Sequence, residues 1–315
     1  MMEQFTLFDR HDPRVNLALE EWLFSQTEGD FLRLWRNPNA VVAGKHQNAL
    51  SECNFWFCRE NGIPVIRRIS GGGTVFHDLG NVNFSFFRKI EKEKMIDYDT
   101  GLNLIHQALR IMGFPVEMNE RHDLYIGDKK VSGNAQHVRR GRSLHHGTIL
   151  YDANLDLLRK SIKRTHGVFE DKSVRSVRSP IANLREYKDV GDTNAFLILL
   201  SKTLEDLGIP KVSAPLVSEE NVESLIAEKY GEDEWNFGYS PAYLFAFDHA
   251  GWKGQIQVAR GGEITDTEIY LDGTRRDDIE LRLKAEPHHL NRISQILDSI
   301  GLEESEANSF LKAFF

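Results

Sequence analysis

Three consecutive glycines between two predicted β-strands constrain this chain more than any other feature. Gly71, Gly72 and Gly73 stand in the stretch "RRISGGGTVFHDLGNVNFSF", which runs from Arg67 to Phe86. Glycine loses more backbone entropy on ordering than any other residue, and a hairpin needs only one or two. The run therefore indicates a loop whose backbone is approached closely by another group. Successive N–H groups without side-chain cover form an anion-binding nest, and a neighbouring arginine adds charged hydrogen bonds to phosphate oxygens.

Two familiar phosphate-binding motifs do not match this loop. A P-loop needs serine or threonine after Gly-Lys, but Gly44 and Lys45 are followed by His46. A Rossmann glycine loop opens a helix, whereas the glycine run leads into a strand. The sequence therefore predicts a phosphate-bearing ligand that is bound in another way.

The strands after the glycines form a predicted hairpin with one polar face. Alternation places Asn81 and Asn83 on one side of the second strand, and His77 lies on the first strand. Such a face either meets water or binds a ligand. The glycine run immediately upstream favours the ligand.

A second polar strand carries Lys130. In "DLYIGDKKVSGNAQ", the alternation predicts that one face carries Lys130, Ser132, Asn134 and Gln136. A lysine near a turn is usually solvated, but a line of polar side chains behind it is unusual for a surface strand. A lysine held there supplies a fixed positive charge to a carboxylate and a phosphate together.

Two further segments are candidates for the same site. His145 and His146 in "LHHGTILYDANL" must face opposite sides of a strand, so one of them at most lines a given site. Arg175 and Arg178 lie in the serine-rich loop "SVRSVRSPIANL". That loop is either a solvated basic segment or a mobile anion-binding lid.

Length and charge bound the remaining possibilities. The 315 residues favour two domains, and we expect residues 1–238 to form the first and 239–315 the second. A formal net charge of -8 argues against non-specific nucleic-acid binding as the main activity. The start of the chain lacks a secretory pattern, and no apolar stretch reaches membrane-spanning length, so we expect a cytoplasmic protein without a membrane partner.

Taken together, these motifs resemble the lipoate-protein ligase family. The resemblance covers nearly the whole chain and rests on "NLALEEWLF", "GKHQNALSECN", "RRISGGGTVFHDLGN", "KVSGNAQ", "HHGTILYDANL", "SVRSVRSPIANL" and "WNFGYSPAY". It implies an α+β fold. The catalytic domain would be of the class II aminoacyl-tRNA synthetase and biotin ligase type, with a mixed, largely antiparallel sheet. A small α+β C-terminal accessory domain would follow it.

The resemblance also implies the reaction and the ligands. In this family ATP activates lipoate to lipoyl-AMP, and a lysine of an acceptor domain then takes the lipoyl group. ATP, Mg²⁺ and lipoate are therefore the expected ligands. The expected protein partners are the lipoyl domains of 2-oxoacid dehydrogenase E2 subunits and the glycine cleavage H protein, with the chain acting as a monomer.

Site residues are implied by motif position. Lys130 is the expected catalytic residue, which would hold the lipoate carboxylate and the α-phosphate, and Asp123 is the candidate Mg²⁺ ligand. Leu17 and Trp35 are candidates to line a tunnel for the lipoyl tail. The residues implied to bind lipoyl-adenylate or ATP, besides Lys130, are Arg68, Ser70, Gly71, Gly72, Gly73, His77, Asn81, Asn83, His146 and Arg178.

One position departs from the family pattern. His137 follows "SGNAQ" where several relatives carry arginine, and Arg139 and Arg140 come slightly later. This basic cluster is a candidate contact for the nucleotide or for an acidic acceptor domain.

Alternatives to the ligase stay open at this point. One is an ATP-independent lipoyltransferase that uses preformed lipoyl-AMP or a lipoylated donor protein. Another is an inactive module that only recognises lipoyl domains, and biotin ligase is a further relative. A thioester-forming octanoyltransferase is disfavoured because Cys53 and Cys58 lie in a predicted helix away from the glycines and Lys130.

Overall fold

The computed structural model describes residues 4–7, 10, 12–26, 29–90, 99–162, 167–177 and 179–315. The strands of the first part of the chain are β1 (Gln4–Leu7), β2 (Phe31–Trp35), β3 (Ala40–Ala43), β4 (Val65–Arg67), β5 (Val75–His77), β6 (Asn81–Lys89), β7 (Glu117–Met118), β8 (Leu124–Ile126), β9 (Lys129–Ser132), β10 (Asn134–Arg139), β11 (Arg142–Leu150) and β12 (Val168–Asp171). The helices there are α1 (Pro13–Gln26), α2 (Ala49–Glu52), α3 (Phe55–Glu60), α4 (Asp99–Ile111), α5 (Leu155–Ser161), α6 (Thr193–Asp206) and α7 (Glu219–Leu225).

A five-stranded sheet forms the centre of the molecule, with the order β1-β2-β6-β11-β10. β1 and β2 are parallel, and the other neighbours are antiparallel. One face of this sheet is apolar and packs against α4 and α6. Phe84 of β6, Ile105 of α4 and Leu200 of α6 are fully buried in this core. The mixed, largely antiparallel sheet expected from the sequence is confirmed.

The opposite face of the central sheet meets α1 and a second sheet with the order β4-β3-β5. Leu17 of α1, Trp35 of β2 and Val42 of β3 belong to one buried cluster there. The polar side chains Asn83 and Ser85 of β6 lie on this side, because Phe84 between them faces the other core. The space between α1 and the two sheets is therefore where polar and apolar groups meet.

The predicted hairpin after the glycines is wrong. β5 pairs with β3 in the second sheet, whereas β6 pairs with β2 and β11 in the central sheet. The turn at residues 78–80 therefore carries the chain from one sheet to the other. The alternation predicted along β6 still holds, and its polar face is buried rather than solvated: Asn81 and Asn83 are 0% and 2% exposed.

The continuous alternation predicted through Gly133 is also wrong. β9 belongs to a third sheet with the order β7-β8-β9, and β10 belongs to the central sheet. Gly133 separates them, so the side-chain alternation does not continue from Lys130 into the next strand. The dipeptides Gly127-Asp128 and Gly141-Arg142 stand between alternating segments, which predicts a hairpin turn at each. The first turn is confirmed, but the second lies at Arg140-Gly141, one residue earlier. Both turn residues have positive φ, 52° and 74°, which the tight β-hairpin turn requires.

The helices α1, α2 and α3 test two predictions made from local sequence patterns. The apolar residues of "DPRVNLALEEWLFSQ" recur at helical spacing, which predicts a helix from about Pro13 to Ser25, and α1 confirms it. The single helix expected after Asn48 is wrong, because it is broken into α2 and α3. Asn54 caps the second helix by accepting a hydrogen bond from the Phe57 N–H at 3.2 Å.

The C-terminal part of the chain is an antiparallel sheet covered by helices. Its elements are β13 (Tyr243–His249), β14 (Trp252–Val258), β15 (Ile264–Leu271), β16 (Thr274–Arg275), α8 (Asp277–Leu283), α9 (Leu290–Ser299) and α10 (Glu304–Phe314). This fourth sheet has the order β12-β13-β14-β15-β16, so it includes a strand from much earlier in the chain. The domain boundary at residue 238 stays a prediction. In the part of the chain that the structure describes, no helix is long and apolar enough to cross a membrane.

Candidate active site

A cavity of about 360 Å³ lies between α1, the central sheet and the second sheet. It brings together many of the residues that the sequence pointed to from distant segments. The predicted residues that line it are Leu17, Trp35, Arg68, Gly72, Gly73, His77, Asn83, Asp123, Lys130, Asn134, His146 and Arg175. Ala135 also lines it, although the sequence placed Ala135 on the opposite face from Lys130.

Three of the predicted adenylate-binding residues that the structure describes do not line this cavity. Ser70, Gly71 and Asn81 lie behind lining residues and contact them through hydrogen bonds. Arg178 lies outside the described residues. A larger cavity of about 640 Å³ lies elsewhere, between the start of α1, α3 and the start of α9. None of the predicted site residues lines it, so we assign the site to the smaller cavity.

The structure explains why the loop needs small residues. Gly72 has φ +85°, a backbone conformation that glycine adopts without strain. A Cβ atom on Gly44 would stand 2.0 Å from the Gly72 carbonyl oxygen, so a second loop packs directly on the glycine run. A Cβ on Gly73 would lie 3.1 Å from the Ser176 hydroxyl oxygen. Among the described residues, none accepts a hydrogen bond from the N–H groups of Gly72 and Gly73, which line the cavity and are therefore available to an anion.

Arg68 shapes this loop from the inside. Its Nε donates to the Ser70 hydroxyl at 2.8 Å, and one terminal nitrogen donates to the carbonyl oxygens of Gly71 at 2.6 Å and Gly73 at 2.8 Å. Burial lowers the pKa of Arg68 to about 10, so the guanidinium keeps its charge at neutral pH. Arg68 therefore holds the glycine carbonyls inward and adds positive charge beneath the loop.

Arg67, which precedes it, is turned away from the cavity. It is fully buried and donates to the carbonyl oxygens of Gln47 at 2.7 Å, Trp235 at 2.9 Å and Asn236 at 2.9 Å. Burial lowers its pKa to about 10. Arg67 thus ties the motif "WNFGYS" to the strand that enters the glycine loop, which is a structural role.

Lys130 and Asp123 form an ion pair in the cavity. The Lys130 Nζ is 2.8 Å from an Asp123 carboxylate oxygen, and the two side chains are 25% and 14% exposed. Gly133 makes room for the lysine, because a Cβ there would stand 2.9 Å from the Lys130 Cε. The Lys130 backbone N–H donates to the Pro180 carbonyl at 2.8 Å, which fixes the strand on its other side. The strand of Lys130 and the Asp123 carboxylate therefore hold the ammonium group in place, and the absence of a side chain at Gly133 leaves room for it.

A buried line of polar groups runs from α1 to the glycine loop. The Glu20 carboxylate lies 2.9 Å from the Nδ1 of His146, whose Nε2 lies 2.6 Å from the Ser70 hydroxyl. Burial alone would raise the pKa of Glu20, but the charge and hydrogen bond of His146, with Ser85 and Arg33, bring it below its ordinary value. Because a carboxylate only accepts hydrogen bonds, Nδ1 of His146 carries a hydrogen.

This line resembles the acid, histidine and serine of a hydrolase, but its geometry does not suit a nucleophile. Ser70 is fully buried, it does not line the cavity, and its hydroxyl already accepts from Arg68. The line therefore positions Arg68 and the glycine loop. His145, the neighbour of His146, packs against Phe84 and Phe86 on the opposite face of the sheet, with ring centroids 5.9 Å apart.

His77 is a neutral member of the cavity wall. Its Nδ1 accepts from the Asn37 amide nitrogen at 3.0 Å, and Asn16 donates to the Asn37 amide oxygen at 2.7 Å, which fixes that amide's orientation. Burial, and then the nearby charge of Arg68, lower the pKa of His77 to about 3. His77 is therefore an uncharged imidazole whose Nε2 carries the hydrogen.

Asn83 lines the cavity and carries a buried, unpaired donor. Its Oδ1 accepts from the Asn81 amide at 2.9 Å, while its buried Nδ2 has no partner among the described residues. A buried amide donor costs free energy unless it is satisfied, so this group is suited to a ligand oxygen. Asn81 thus acts through Asn83, which it orients.

The apolar part of the cavity surrounds Trp35. Leu17, Val42 and Val75 line it with the tryptophan, whose indole N–H donates to Ser85 at 2.8 Å. That hydrogen bond fixes the indole plane, and the Arg33 guanidinium lies over the ring at 4.7 Å from its centroid.

His137, the departure from the family pattern, does not line the cavity. It packs on Phe24 of α1 with a centroid distance of 5.2 Å, and burial lowers its pKa to about 4. Arg139 and Arg140 are exposed at the tip of the β10–β11 turn.

Two buried residues near the site were not identified from the sequence. Glu20 lies one helical turn after Asn16 on the face of α1 that carries Leu17, so a carboxylate on an apolar face was the available signal. Gln47, in the motif "GKHQN", is fully buried beside the glycine loop. Nothing in its local pattern shows that it is buried.

The chain is similar to known proteins both in sequence and in fold. Residues 12–202 match the family model described as the lipoyl protein ligase A/B catalytic domain. Lipoate-protein ligase LplJ of Bacillus subtilis is 31% identical over 311 residues, which cover 95% of this chain and 94% of that protein. A crystal structure of lipoate-protein ligase A bound with ATP aligns with TM-score 0.63 and 27% identity, over 76% of this chain and 99% of that one.

Two structures from Thermoplasma acidophilum are also similar. One is a putative lipoate protein ligase, Ta0514, with bound lipoic acid, with TM-score 0.62 and 27% identity over 76% of this chain and 100% of that chain. The other is a bipartite lipoate protein ligase described with its E2 lipoyl domain, with TM-score 0.61 and 27% identity over 76% and 97%. By the family model and by its likeness to LplJ, the chain belongs to the lipoyl protein ligase A/B family.

Proposed function

We propose that this chain is an ATP-dependent lipoate-protein ligase. A lipoate carboxylate oxygen would bond to the α-phosphorus of ATP, the bond from that phosphorus to the bridging oxygen would break, and pyrophosphate would leave. The amine of an acceptor lysine would then attack the acyl carbonyl and release AMP. The family, a relative bound with ATP and a relative bound with lipoic acid support this reaction.

One observation carries the proposal: a single cavity has both apolar and charged walls. Leu17, Trp35 and Val42 suit the aliphatic chain and ring of lipoate, since apolar surface favours leaving water. Lys130 and the glycine loop suit a carboxylate and a phosphate. A module that only binds lipoylated proteins would not need the charged wall formed by Lys130 and the glycine loop.

Lys130 would act by charge. Its ammonium is already held 2.8 Å from Asp123, so little reorganisation is needed when two anions approach. The positive charge would reduce the repulsion between the lipoate carboxylate and the α-phosphate, and later stabilise the oxyanion at the carbonyl. The free Nδ2 of Asn83 and the glycine N–H groups would add neutral donors.

Asp123 is the residue present that would hold Mg²⁺. The described residues contain no group of three or more His, Cys, Asp or Glu side chains that could hold a metal. Mg²⁺ binds through one or two carboxylates, with phosphate oxygens and water as its other ligands, so a lone carboxylate beside the phosphates fits. The ion would neutralise phosphate charge when bound.

Exchange of labelled pyrophosphate into ATP tests the proposal. The purified protein with Mg²⁺ should catalyse this exchange when lipoate is present and not when lipoate is omitted. The alternative is a lipoyltransferase, which would show no exchange but would transfer the lipoyl group from preformed lipoyl-AMP.

The partners are part of the proposal. A Thermoplasma acidophilum ligase is described with its E2 lipoyl domain, which supports lipoyl acceptor domains as the class of partner. The 2-oxoacid dehydrogenase E2 subunits and the glycine cleavage H protein as specific acceptors, a monomeric state and a cytoplasmic location stay predictions.

A further inference from the structure

Gln47 is a fully buried side chain whose hydrogen-bonding capacity is completely used. Its Oε1 accepts from the Gly44 N–H at 2.9 Å and from the Thr74 hydroxyl at 2.8 Å. Its Nε2 donates to the Val174 carbonyl and the Ser176 hydroxyl, both at 3.1 Å. With two acceptor and two donor contacts matched, the amide has one orientation.

These contacts join three separate parts of the chain at the cavity. Thr74 directly follows the glycine loop, and Ser176 belongs to segment 172–177, four residues of which line the cavity. The Ser176 hydroxyl also accepts from the Thr74 N–H at 2.9 Å and donates to the Glu52 carboxylate. We call Gln47, Glu52, Thr74 and Ser176 the clasp.

Apart from the clasp, the hydrogen bonds of segment 172–177 run back to the strand before it, where Arg175 donates to the Phe169 carbonyl at 3.1 Å and the Ser173 N–H donates to Asp171 at 2.8 Å. Before it, Val168–Asp171 pairs with a strand of the fourth sheet, and after it Ile181 bridges to Lys130. Between these points, no backbone-to-backbone hydrogen bond joins the segment to the described residues. Val174 and Val177 are 53% and 70% exposed, so their packing contributes little.

We propose that Gln47 is a positioning residue that holds segment 172–177 against the glycine loop through Ser176, and thereby retains the acyl-adenylate between the two half-reactions. This rests on the ligase function proposed above. A ligand enclosed by the glycine loop on one side and the segment on the other leaves only when the segment opens. The clasp sets how often that happens.

Two variants separate this role from a general loss of structure. Gln47→Met keeps the length of the side chain and removes all four hydrogen bonds. Ser176→Ala removes the three hydroxyl contacts of the segment within the clasp and leaves the hydrogen bond of Gln47 to the Val174 carbonyl. Gln107→Met makes the same change as the first variant on the exposed side of α4 and is the matched control.

The main measurement is the rate at which lipoyl-AMP leaves the enzyme. We expect about tenfold faster release in Gln47→Met and Ser176→Ala, since tenfold corresponds to ~1.4 kcal/mol, the scale of one net hydrogen bond. For transfer from supplied lipoyl-AMP, Gln47→Met should raise KM about tenfold and change kcat less than twofold. The control Gln107→Met should match the wild-type protein in the rate of lipoyl-AMP release, in KM and in kcat. Wild-type release and KM in both folded variants would overturn the proposal, as would a fall in kcat with KM unchanged.

A second measurement does not depend on the ligase reaction. Trypsin cleavage after Arg175 in the ligand-free protein needs the segment to open, and it should be faster in both variants than in the control. If the wild-type protein binds no lipoyl-AMP, the proposed function fails and the retention role falls with it. If it binds lipoyl-AMP but cleavage and release are equal in all proteins, only the clasp is refuted.

Discussion

The buried imidazole of His77 makes the stability of the protein depend on pH. Its pKa is lowered from an ordinary value of 6.5 to about 3, first by burial and then by Arg68. Below pH 6.5 the unfolded chain therefore binds a proton at this histidine that the folded protein does not bind. Stability from this residue is fully present above pH 6.5 and is lost as the pH falls towards 3.

The expected size of the effect follows from proton linkage. Uptake of one proton by the unfolded chain lowers the free energy of unfolding by about 1.4 kcal/mol for each pH unit below 6.5. Between pH 7 and pH 5 this gives about 2 kcal/mol. The side chain in His77→Gln has no proton to gain. Between pH 7 and pH 5, the free energy of unfolding of this variant should therefore fall by about 2 kcal/mol less than that of the wild-type protein. Other titrating groups, such as His137, are present in both proteins and cancel in the difference.

Urea unfolding at several pH values measures this difference. Tryptophan fluorescence is a suitable signal, because the Trp35 and His77 rings are 5.8 Å apart. His249→Gln makes the same change at an exposed position and controls for the loss of one histidine. Equal pH dependence in the wild-type protein and His77→Gln would refute the assignment of a neutral, unprotonated imidazole to this site.

Three further outcomes are expected. Lys130→Met should lower the rate of adenylate formation about 10²- to 10³-fold, because the positioned charge is lost, while the thermal midpoint stays within a few degrees; pyrophosphate exchange and calorimetry measure these, and retained exchange would remove Lys130 from the mechanism. Gly72→Ala should cost about 1–2 kcal/mol because φ is +85°, whereas Gly71→Ala, with open space at its Cβ, should cost less in the same urea titration; equal costs would contradict the backbone argument. Burial raises the pKa of Cys58 to about 12, so its thiol should react with a disulfide reagent at neutral pH only after unfolding, and rapid labelling of the folded protein would show that the site opens.

Local patterns predicted the features that depend on neighbouring residues. The helix α1, the alternation of Asn81 and Asn83 along β6, and the opposite directions of His145 and His146 all follow from backbone periodicity. The glycine run predicted a close approach, and the structure shows that Gly44 and Ser176 make it.

The pairing of strands and the contacts between distant segments could not be predicted from the sequence. Nothing local distinguishes a turn that closes a hairpin from one that carries the chain between sheets, which is why β5 and β6 were wrongly paired. The contact of Gln47 with Ser176 spans 129 residues, and no periodicity encodes it. The ion pair of Asp123 with Lys130 is local by contrast, because Asp123 directly precedes β8 and Lys130 lies on its hairpin partner β9.

The pairing of Val168–Asp171 with Tyr243–His249 has a practical consequence for anyone trimming this protein to a minimal catalytic version. Cutting after residue 238 would strip four residues of their ladder partner and uncover Phe169, whose ring now stacks 4.4 Å from that of Phe245. The exposed edge would sit directly upstream of segment 172–177, inviting aggregation at that point. A shortened enzyme would therefore need a substitute strand along that edge.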